Sequence, residues 1–181
     1  MQDENEIVNP GRPQSWLLPD DGTWPNNQRC PLLAYQCALD LSHGDLAMAI
    51  ERLFRANHWG GSWRNGVYSF HHYHSTAHEV LGVYGGSARV QLGGEGGVTL
   101  ELRRGDVIVI PAGVAHKNLG ATPDFRVVGA YPLGTSPDMN EGRPDERPEA
   151  DANIAKLVMP SADPVYGEGG PLLSLWAQAT A

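Results

Sequence analysis

Six short segments of β-forming residues, separated by turns rich in glycine or aspartate, occupy residues 65–132 of this 181-residue chain. They are residues 67–70, 80–84, 88–92, 98–102, 107–110 and 125–128. In some of them apolar and polar residues alternate, as Val90 does with Arg89 and Gln91, so these strands have one face towards a core and one towards solvent. Regular short strands of this kind predict an all-β domain, either an antiparallel sandwich or a barrel.

The segments on either side are predicted to pack on this β region. Residues 32–39 are typical of a strand, and residues 45–56 have the three- and four-residue apolar spacing of a helix, which Ser42 is placed to cap. Residues 134–152 are rich in proline and acidic residues, which predicts a solvated loop, and residues 154–159 are predicted to form a short helix. The chain then divides into an arm (1–64), a β core (65–132) and a loop with a tail (133–181), within one structural domain.

The charge balance narrows the range of partners. Thirteen Lys and Arg against twenty-one Asp and Glu leave a net charge of −8, and no basic stretch is present to hold a phosphate backbone. We therefore expect a small-molecule substrate, no nucleic acid and no membrane. The start, MQDENEIVNP, lacks the basic and apolar regions of a secretory signal, and Cys30 and Cys37 are expected to be free thiols. These features predict a cytoplasmic protein.

Four of the seven histidines lie within eight consecutive residues, at positions 71, 72, 74 and 78, and Glu79 follows them. Residues two apart on a strand share a face, so His72 and His74 are expected to point the same way and His71 the other. The carboxylate of Glu79 can reach the same point, and His116 follows a rigid turn at residues 111–113. Three imidazoles and one carboxylate form a ligand set that suits Fe, Mn, Ni, Co or Zn.

The spacing of these residues resembles that of the cupin superfamily. The first cupin motif is matched at its fixed positions by Gly66, His72, His74, Glu79 and Gly86, and the second by Gly105, Pro111, Gly113 and His116. The second motif usually ends in an asparagine, where this chain has Gly120 with Asn118 nearby. The runs at residues 20–26 and 72–82 further resemble those of small single-domain bacterial and fungal cupins.

The resemblance implies a single-domain cupin β-barrel, a double-stranded β-helix of the jelly-roll type, with an N-terminal strand and helix and a short helical C-terminal tail. It implies one divalent transition metal ion, with Fe or Mn favoured and Zn or Ni as alternatives. The implied ligands are His72, His74, Glu79 and His116. A homodimer is also implied, and residues 32–39 and 172–176 are the segments we expect at its contact.

Tyr68 and His78 are the candidate catalytic residues. Tyr68 shares strand parity with His72 and is expected to line the cavity, where a phenol can donate a proton. His78 is out of phase with the ligands, so it is interpreted either as a residue that assists a ligand or as a surface residue.

Four protein ligands leave two positions of a six-coordinate metal open, which favours chemistry over a closed structural site. The predicted function is that of a metal-dependent enzyme acting on a small oxygen-bearing molecule, first of all an oxidoreductase of the non-haem iron dioxygenase type. A metal-dependent isomerase, epimerase or lyase is one alternative. A non-catalytic cupin that binds a small ligand is the second, and a structural or storage protein is the third.

Overall fold

The computed structural model describes residues 7–40, 42 and 44–178, which form nine strands and three α-helices. The strands are β1 (Gln14–Leu18), β2 (Asn27–Tyr35), β3 (Trp59–Asn65), β4 (Glu79–Gly85), β5 (Ser87–Leu92), β6 (Val98–Arg103), β7 (Val107–Ile110), β8 (His116–Ala121) and β9 (Arg126–Pro132). The helices are α1 (Leu46–Ala56), α2 (Glu149–Lys156) and α3 (Pro171–Gln178).

Two antiparallel sheets form the body of the molecule. One has six strands in the order β1-β2-β7-β4-β9-β3, and the other has three in the order β6-β5-β8. One apolar cluster contains side chains from both sheets, so the sheets enclose a common interior. The predicted all-β barrel of the jelly-roll type is therefore confirmed.

Alternation along the central strands separates an inner from an outer core. On β4, Leu81 and Val83 point into the barrel, whereas Val80 belongs to a second cluster that includes α1 and α3. Gly82 shares the outer face with Val80, and a Cβ there would come within 2.9 Å of Ile50 and 3.0 Å of Phe54. Glycine at this position therefore lets α1 lie directly on the sheet.

The prediction of a strand at residues 67–70 is wrong. These residues form an irregular connection, in which the carbonyl of Tyr68 accepts a backbone hydrogen bond from Asn118 at 2.8 Å. The strand lies instead at β3, which pairs with β9. Two adjacent glycines, Gly60 and Gly61, weaken the β-forming signal of that stretch, because glycine has no side chain to pack on a sheet.

The predicted N-terminal elements are present with shifted limits. The strand is β2, which runs through Pro31, opposite the point where the register of β1 slips between Trp16 and Leu18. Since proline cannot donate to a regular ladder, this irregularity is what admits it into the strand. The predicted helix corresponds to α1, but its cap is Asp45 rather than Ser42, since Asp45 accepts a hydrogen bond from the backbone N–H of Met48.

The C-terminal tail packs against the same chain. Leu172 and Trp176 are fully buried, and the indole N–H of Trp176 donates to the carbonyl of Pro31 at 2.9 Å. The short helix of the tail is α2, a few residues before its predicted position. Because β2 is paired with both β1 and β7, and Leu172 and Trp176 are buried, these parts of the segments predicted for a dimer contact are covered within one protomer. The dimer contact itself stays a prediction.

None of the helices within the described residues has the length and apolar character needed to cross a membrane.

Candidate metal centre

An isolated antiparallel bridge between His72 and His116 forms the middle of the site. The two residues exchange backbone hydrogen bonds of 3.2 and 2.9 Å, which brings the centroids of their rings to 4.0 Å. His74 lies two residues further along, and its carbonyl accepts the N–H of Gly113 at 2.8 Å. The three imidazoles are buried and offer nitrogen atoms that all lie within 4.8 Å of one another. The strand parity predicted for His72 and His74 thus brings both to one point, together with His116.

The tautomers of the three rings are set by the backbone. In each ring Nδ1 lies at hydrogen-bonding distance from a carbonyl oxygen. The acceptors are Phe70 for His72 (3.1 Å), Asp138 for His74 and Val114 for His116 (3.1 Å). A carbonyl oxygen only accepts, so Nδ1 carries a hydrogen in each ring, and Nε2 is the nitrogen left either to bind a metal through its lone pair or, when protonated, to donate to a carboxylate. This donor set fits a transition metal, because ligating imidazoles commonly donate their other N–H to a carbonyl or carboxylate.

Glu79 adds the charge to the site. It opens β4, is 2% exposed, and its Oε2 lies 3.5 Å from Nε2 of His74 and 3.2 Å from Nε2 of His116. Burial alone would raise the pKa of Glu79, but hydrogen bonds with both histidines outweigh it and hold this pKa well below its usual range. Burial lowers the pKa of His74. The hydrogen bond with Glu79 and the charge of Glu79 outweigh burial, so the net pKa of His74 is raised. For His72, burial lowers the pKa to about 3, so this ring is neutral near pH 7.

The turn before β8 places His116. The N–H of Ala112 donates to Nδ1 of His78 at 3.0 Å, and the carbonyl of Ala112 accepts a hydrogen bond from the side-chain amide of Asn27 at 2.9 Å. Gly113 has φ +92°, and a Cβ there would come within 2.2 Å of the carbonyl oxygen of Asn26. Buried side chains therefore satisfy both the N–H and the carbonyl of Ala112. At the next position, 113, only glycine fits.

Residues 136–140, called here the strap, hold the other side of the site. The carboxylate of Asp138 accepts hydrogen bonds from the backbone N–H groups of Ser75 (2.6 Å) and Thr76 (3.2 Å), from the Ser75 hydroxyl and from the Asn140 amide. Burial raises the pKa of Asp138, but the hydrogen bonds from Ser75 and Asn140 outweigh it and the net pKa is lowered. Because Asp138 also supplies the carbonyl for His74, the prediction of a solvated loop at residues 134–152 is wrong at the strap.

The four residues face a cavity of about 380 Å³. Apart from them the lining is mainly aromatic and aliphatic, with three polar members. Its aromatic members are Trp63, Tyr68 and Tyr131, its apolar members Gly66, Val67, Leu81, Pro137 and Met139, and its polar members Arg64, Asn65 and Asp138. A cavity with this lining suits a small molecule with an apolar or aromatic body and a few oxygen atoms.

Tyr131 is a cavity residue that the sequence reasoning missed. Its hydroxyl accepts the indole N–H of Trp63 at 2.8 Å, and its ring stands edge-on to that of His74. Burial and the neighbouring charge of Glu79 raise its pKa, so the phenol is protonated at neutral pH. Alternation along residues 126–132 places Val127, Gly129 and Tyr131 on one face, a signal that was available in the sequence.

The two predicted catalytic residues lie in different places. Tyr68 lines the cavity mouth, is 51% exposed, and stacks on Phe70 with a ring separation of 5.0 Å. His78 is 3% exposed and packs against Trp176 at 4.7 Å, outside the set of residues that line the cavity. The catalytic role predicted for His78 has to be corrected, because its ring faces α3 and the turn before β8.

His71 and Asn118 also lie outside the cavity lining. The ring of His71 packs on Trp24 at 5.2 Å, with Nε2 3.2 Å from the side-chain oxygen of Gln91. The side chain of Asn118 accepts the N–H of Gly120 at 2.8 Å within β8. Asn118 is thus a local support for the strand at the position where the second motif departs from its usual form.

Comparison with known proteins places this geometry in a family. The family model described as Cupin matches residues 64–138. YjlB of Bacillus subtilis (strain 168), an uncharacterized protein, is 44% identical over 165 residues, which cover 91% of this chain and 97% of YjlB.

Two solved structures were also matched. A DUF861 family protein from Thermotoga maritima is 23% identical, with a TM-score of 0.31, over 44% of this chain and 86% of that chain. A conserved protein with a double-stranded β-helix domain from Klebsiella pneumoniae is 16% identical, with a TM-score of 0.35, over 78% of this chain and 96% of that chain.

Proposed function

This chain belongs to the cupin superfamily, and we propose that it is a metal-dependent enzyme that acts on a small oxygen-bearing molecule. The observation that carries the proposal is the convergence of three buried imidazoles whose Nδ1 atoms are already hydrogen-bonded to carbonyl oxygens. One ligand nitrogen from each ring lies in a common region, and Nε2 of His74 and Nε2 of His116 lie beside the buried carboxylate of Glu79. Such a group is costly to bury unless a cation or protons are shared among its members.

We propose His72, His74, Glu79 and His116 as the ligands of one divalent metal ion, with iron or manganese favoured and zinc or nickel as alternatives. A metal of this class supplies Lewis-acid or redox chemistry to oxygen donors that share its coordination. The protein's own residues fix the imidazole tautomers, provide one negative charge through Glu79 and surround the reacting molecule with an apolar wall. Tyr68 belongs to this wall at the mouth, where we propose that it contacts the substrate.

Within this proposal, the first reaction to test is an oxidation of the non-haem iron dioxygenase type. Three histidines and one glutamate leave two of six coordination positions for other ligands. The mainly apolar cavity limits access of bulk water to an oxidisable molecule. An aromatic or unsaturated compound with one or two oxygen atoms suits this lining best.

A metal-dependent isomerase, epimerase or lyase is the second candidate, and Tyr131 favours it. This hydroxyl lines the cavity and accepts a hydrogen bond from Trp63, which leaves its own hydrogen for an acceptor on the cavity side, either Glu79 or an oxygen of the substrate. Reactions of this class depend on such proton donors and not on an oxidant.

The test compares turnover in metal-free protein and in protein reloaded with Fe(II), Mn(II), Ni(II) or Zn(II). Oxygen consumption reports an oxidation, and proton NMR of the same panel of small phenols, hydroxy acids and keto acids reports isomerisation or elimination. We expect metal-dependent turnover in the parent and in His58→Asn, whose exposed histidine lies outside the cavity lining, and its loss in Glu79→Gln. Tight ligand binding without turnover of any compound would instead indicate a binding protein.

The predictions of a homodimer and of a cytoplasmic location are kept as part of this proposal.

A further inference from the structure

The hydroxyl of Tyr131 stands at the cavity beside two of the proposed metal ligands. Tyr131 lies on β9 and is 9% exposed. Its ring is edge-on to the ring of His74, with centroids 6.1 Å apart, and its hydroxyl is within hydrogen-bonding reach of Glu79. A molecule bound in the cavity next to these ligands therefore lies close to this phenol.

Trp63 fixes the direction of this hydroxyl. Its indole N–H donates to the Tyr131 oxygen at 2.8 Å. An indole nitrogen is a donor only, so the Tyr131 oxygen must be the acceptor of this bond, and its own hydrogen is left for an acceptor on the cavity side, either Glu79 or an oxygen atom of a bound molecule. The pair thus presents an O–H donor at the cavity wall.

A β-bulge brings Trp63 to the correct face of the sheet. Gly60 is opposite Tyr131 and Trp63 is opposite Gly129, so β3 uses one more residue than β9 between the two pairs. In an uninterrupted register Trp63 would face Val128, which belongs to the outer core. The extra residue moves Trp63 to the inner face that Gly129 and Tyr131 share.

Gly129 provides the room for the indole. A Cβ at this position would come within 2.2 Å of two ring carbons of Trp63 and 2.6 Å of its nitrogen. The indole therefore occupies the space that a side chain at position 129 would need, and even alanine there would displace it. The bulge in β3 and the missing side chain on β9 are two separate features, and both lead to the same hydrogen bond.

We propose that Tyr131 is a catalytic residue whose hydroxyl donates a hydrogen bond to an oxygen atom of the small molecule bound in the cavity, and that Trp63 is the residue that positions it. This inference rests on the proposed function, because it places that molecule beside the metal. It adds a specific contact that selects oxygen-bearing ligands whose acceptor reaches the wall formed by β9.

The hydrogen bond itself is tested without metal or substrate. In protein labelled with ¹⁵N at tryptophan, Trp63→Phe identifies the indole N–H signal of Trp63. We expect Tyr131→Phe to move this signal, and Tyr84→Phe, which removes a hydroxyl outside the cavity lining, to leave it in place. A Trp63 signal that is the same in Tyr131→Phe would overturn the proposed positioning.

The contact with a ligand is tested on protein loaded with Co(II), using acetohydroxamate as a small bidentate oxygen ligand. We expect Tyr131→Phe to retain its metal and to bind the probe about tenfold more weakly, while Tyr84→Phe binds as the parent does. Trp63→Phe should weaken binding in the parent background and have little further effect in Tyr131→Phe. A purely structural role of Trp63 would not produce this coupling.

The outcomes separate this inference from the proposed function. Parent protein that takes up no metal would contradict the proposed function, and the inference with it. Metal-loaded Tyr131→Phe that binds acetohydroxamate as tightly as the parent would overturn the inference alone. Metal-loaded parent that does not bind the probe would also overturn it, because no oxygen ligand would then reach Tyr131.

Discussion

His78 supports the site through the turn that carries a ligand, without reaching the cavity. Its Nδ1 accepts the N–H of Ala112, and its ring packs on Trp176 of α3. The acceptor role requires a lone pair on Nδ1, which suits the neutral ring, and burial lowers the pKa of His78 to about 4. One neutral imidazole thus joins the docked tail to the turn before His116.

At the scale of single residues, we predict that the free energy of unfolding decreases as the pH is lowered from 6.5 towards 4. Protonation of His78 accounts for part of this decrease. The unfolded chain takes up a proton near pH 6.5, whereas folded His78 resists it until about pH 4. The free energy of unfolding therefore keeps its full His78 contribution above pH 6.5 and loses it towards pH 4, by about 3 kcal/mol.

The variant His78→Asn keeps an acceptor for Ala112 but does not titrate. Urea unfolding of metal-free protein between pH 4 and 6.5 should show a flatter pH dependence in this variant than in the parent. The slope is compared rather than the absolute stability, because the smaller side chain leaves a cavity of its own. Equal slopes in the two proteins would count against this role of His78.

At the scale of elements, the strap is the segment on which the site depends most. Asp138 binds the turn at Ser75 and Thr76 through its carboxylate and His74 through its carbonyl. Asn140 extends the contact by pairing with Tyr73 through two backbone hydrogen bonds of 2.9 and 3.0 Å. The strap therefore holds the segment with His72 and His74 in place and also contributes to the cavity wall.

We predict that Asp138→Ala weakens metal binding by about tenfold or more, because it frees the strap whose carbonyl orients His74. The free energy of unfolding of the metal-free protein should fall by about 2 kcal/mol, since several N–H and O–H groups lose a buried carboxylate acceptor. Metal titration and urea unfolding measure the two effects. Asp145→Ala is the control, because that side chain is 82% exposed, and equal behaviour of the two variants would contradict the role of the strap.

At the scale of the whole molecule, the six-stranded sheet serves two cores. Its outer face packs on α1 and α3, and its inner face packs on the three-stranded sheet. The proposed ligands come from three separate parts of the chain, which are the segment with His72 and His74, the start of β4 and the start of β8. The site therefore requires the barrel to close before its ligands meet.

The sequence predicts the local parts of this arrangement well. Runs of β-forming residues between glycine- or aspartate-containing turns place strands β4 to β7 close to their observed limits, and the spacing of His72 and His74 correctly puts them on one side. Both signals depend on neighbouring residues alone.

The remainder depends on contacts between distant residues. Asp138 lies 63 positions after Ser75, so a polar strap has the composition of a solvated loop until its partner is known. The inward position of Trp63 depends on a bulge that only pairing with β9 reveals. Ser42 has a suitable side chain for a cap, but the helix begins later, next to Asp45.

Metal content, measured by plasma mass spectrometry on untagged protein purified without chelators, tests the central claim most directly. We predict near-stoichiometric divalent metal in the parent and in His58→Asn, which removes an exposed imidazole at a position with φ +66° that asparagine tolerates. His74→Ala and His116→Ala should lose the metal. Parent protein that is metal-free and also fails to take up added Fe, Mn, Ni or Zn would contradict the account.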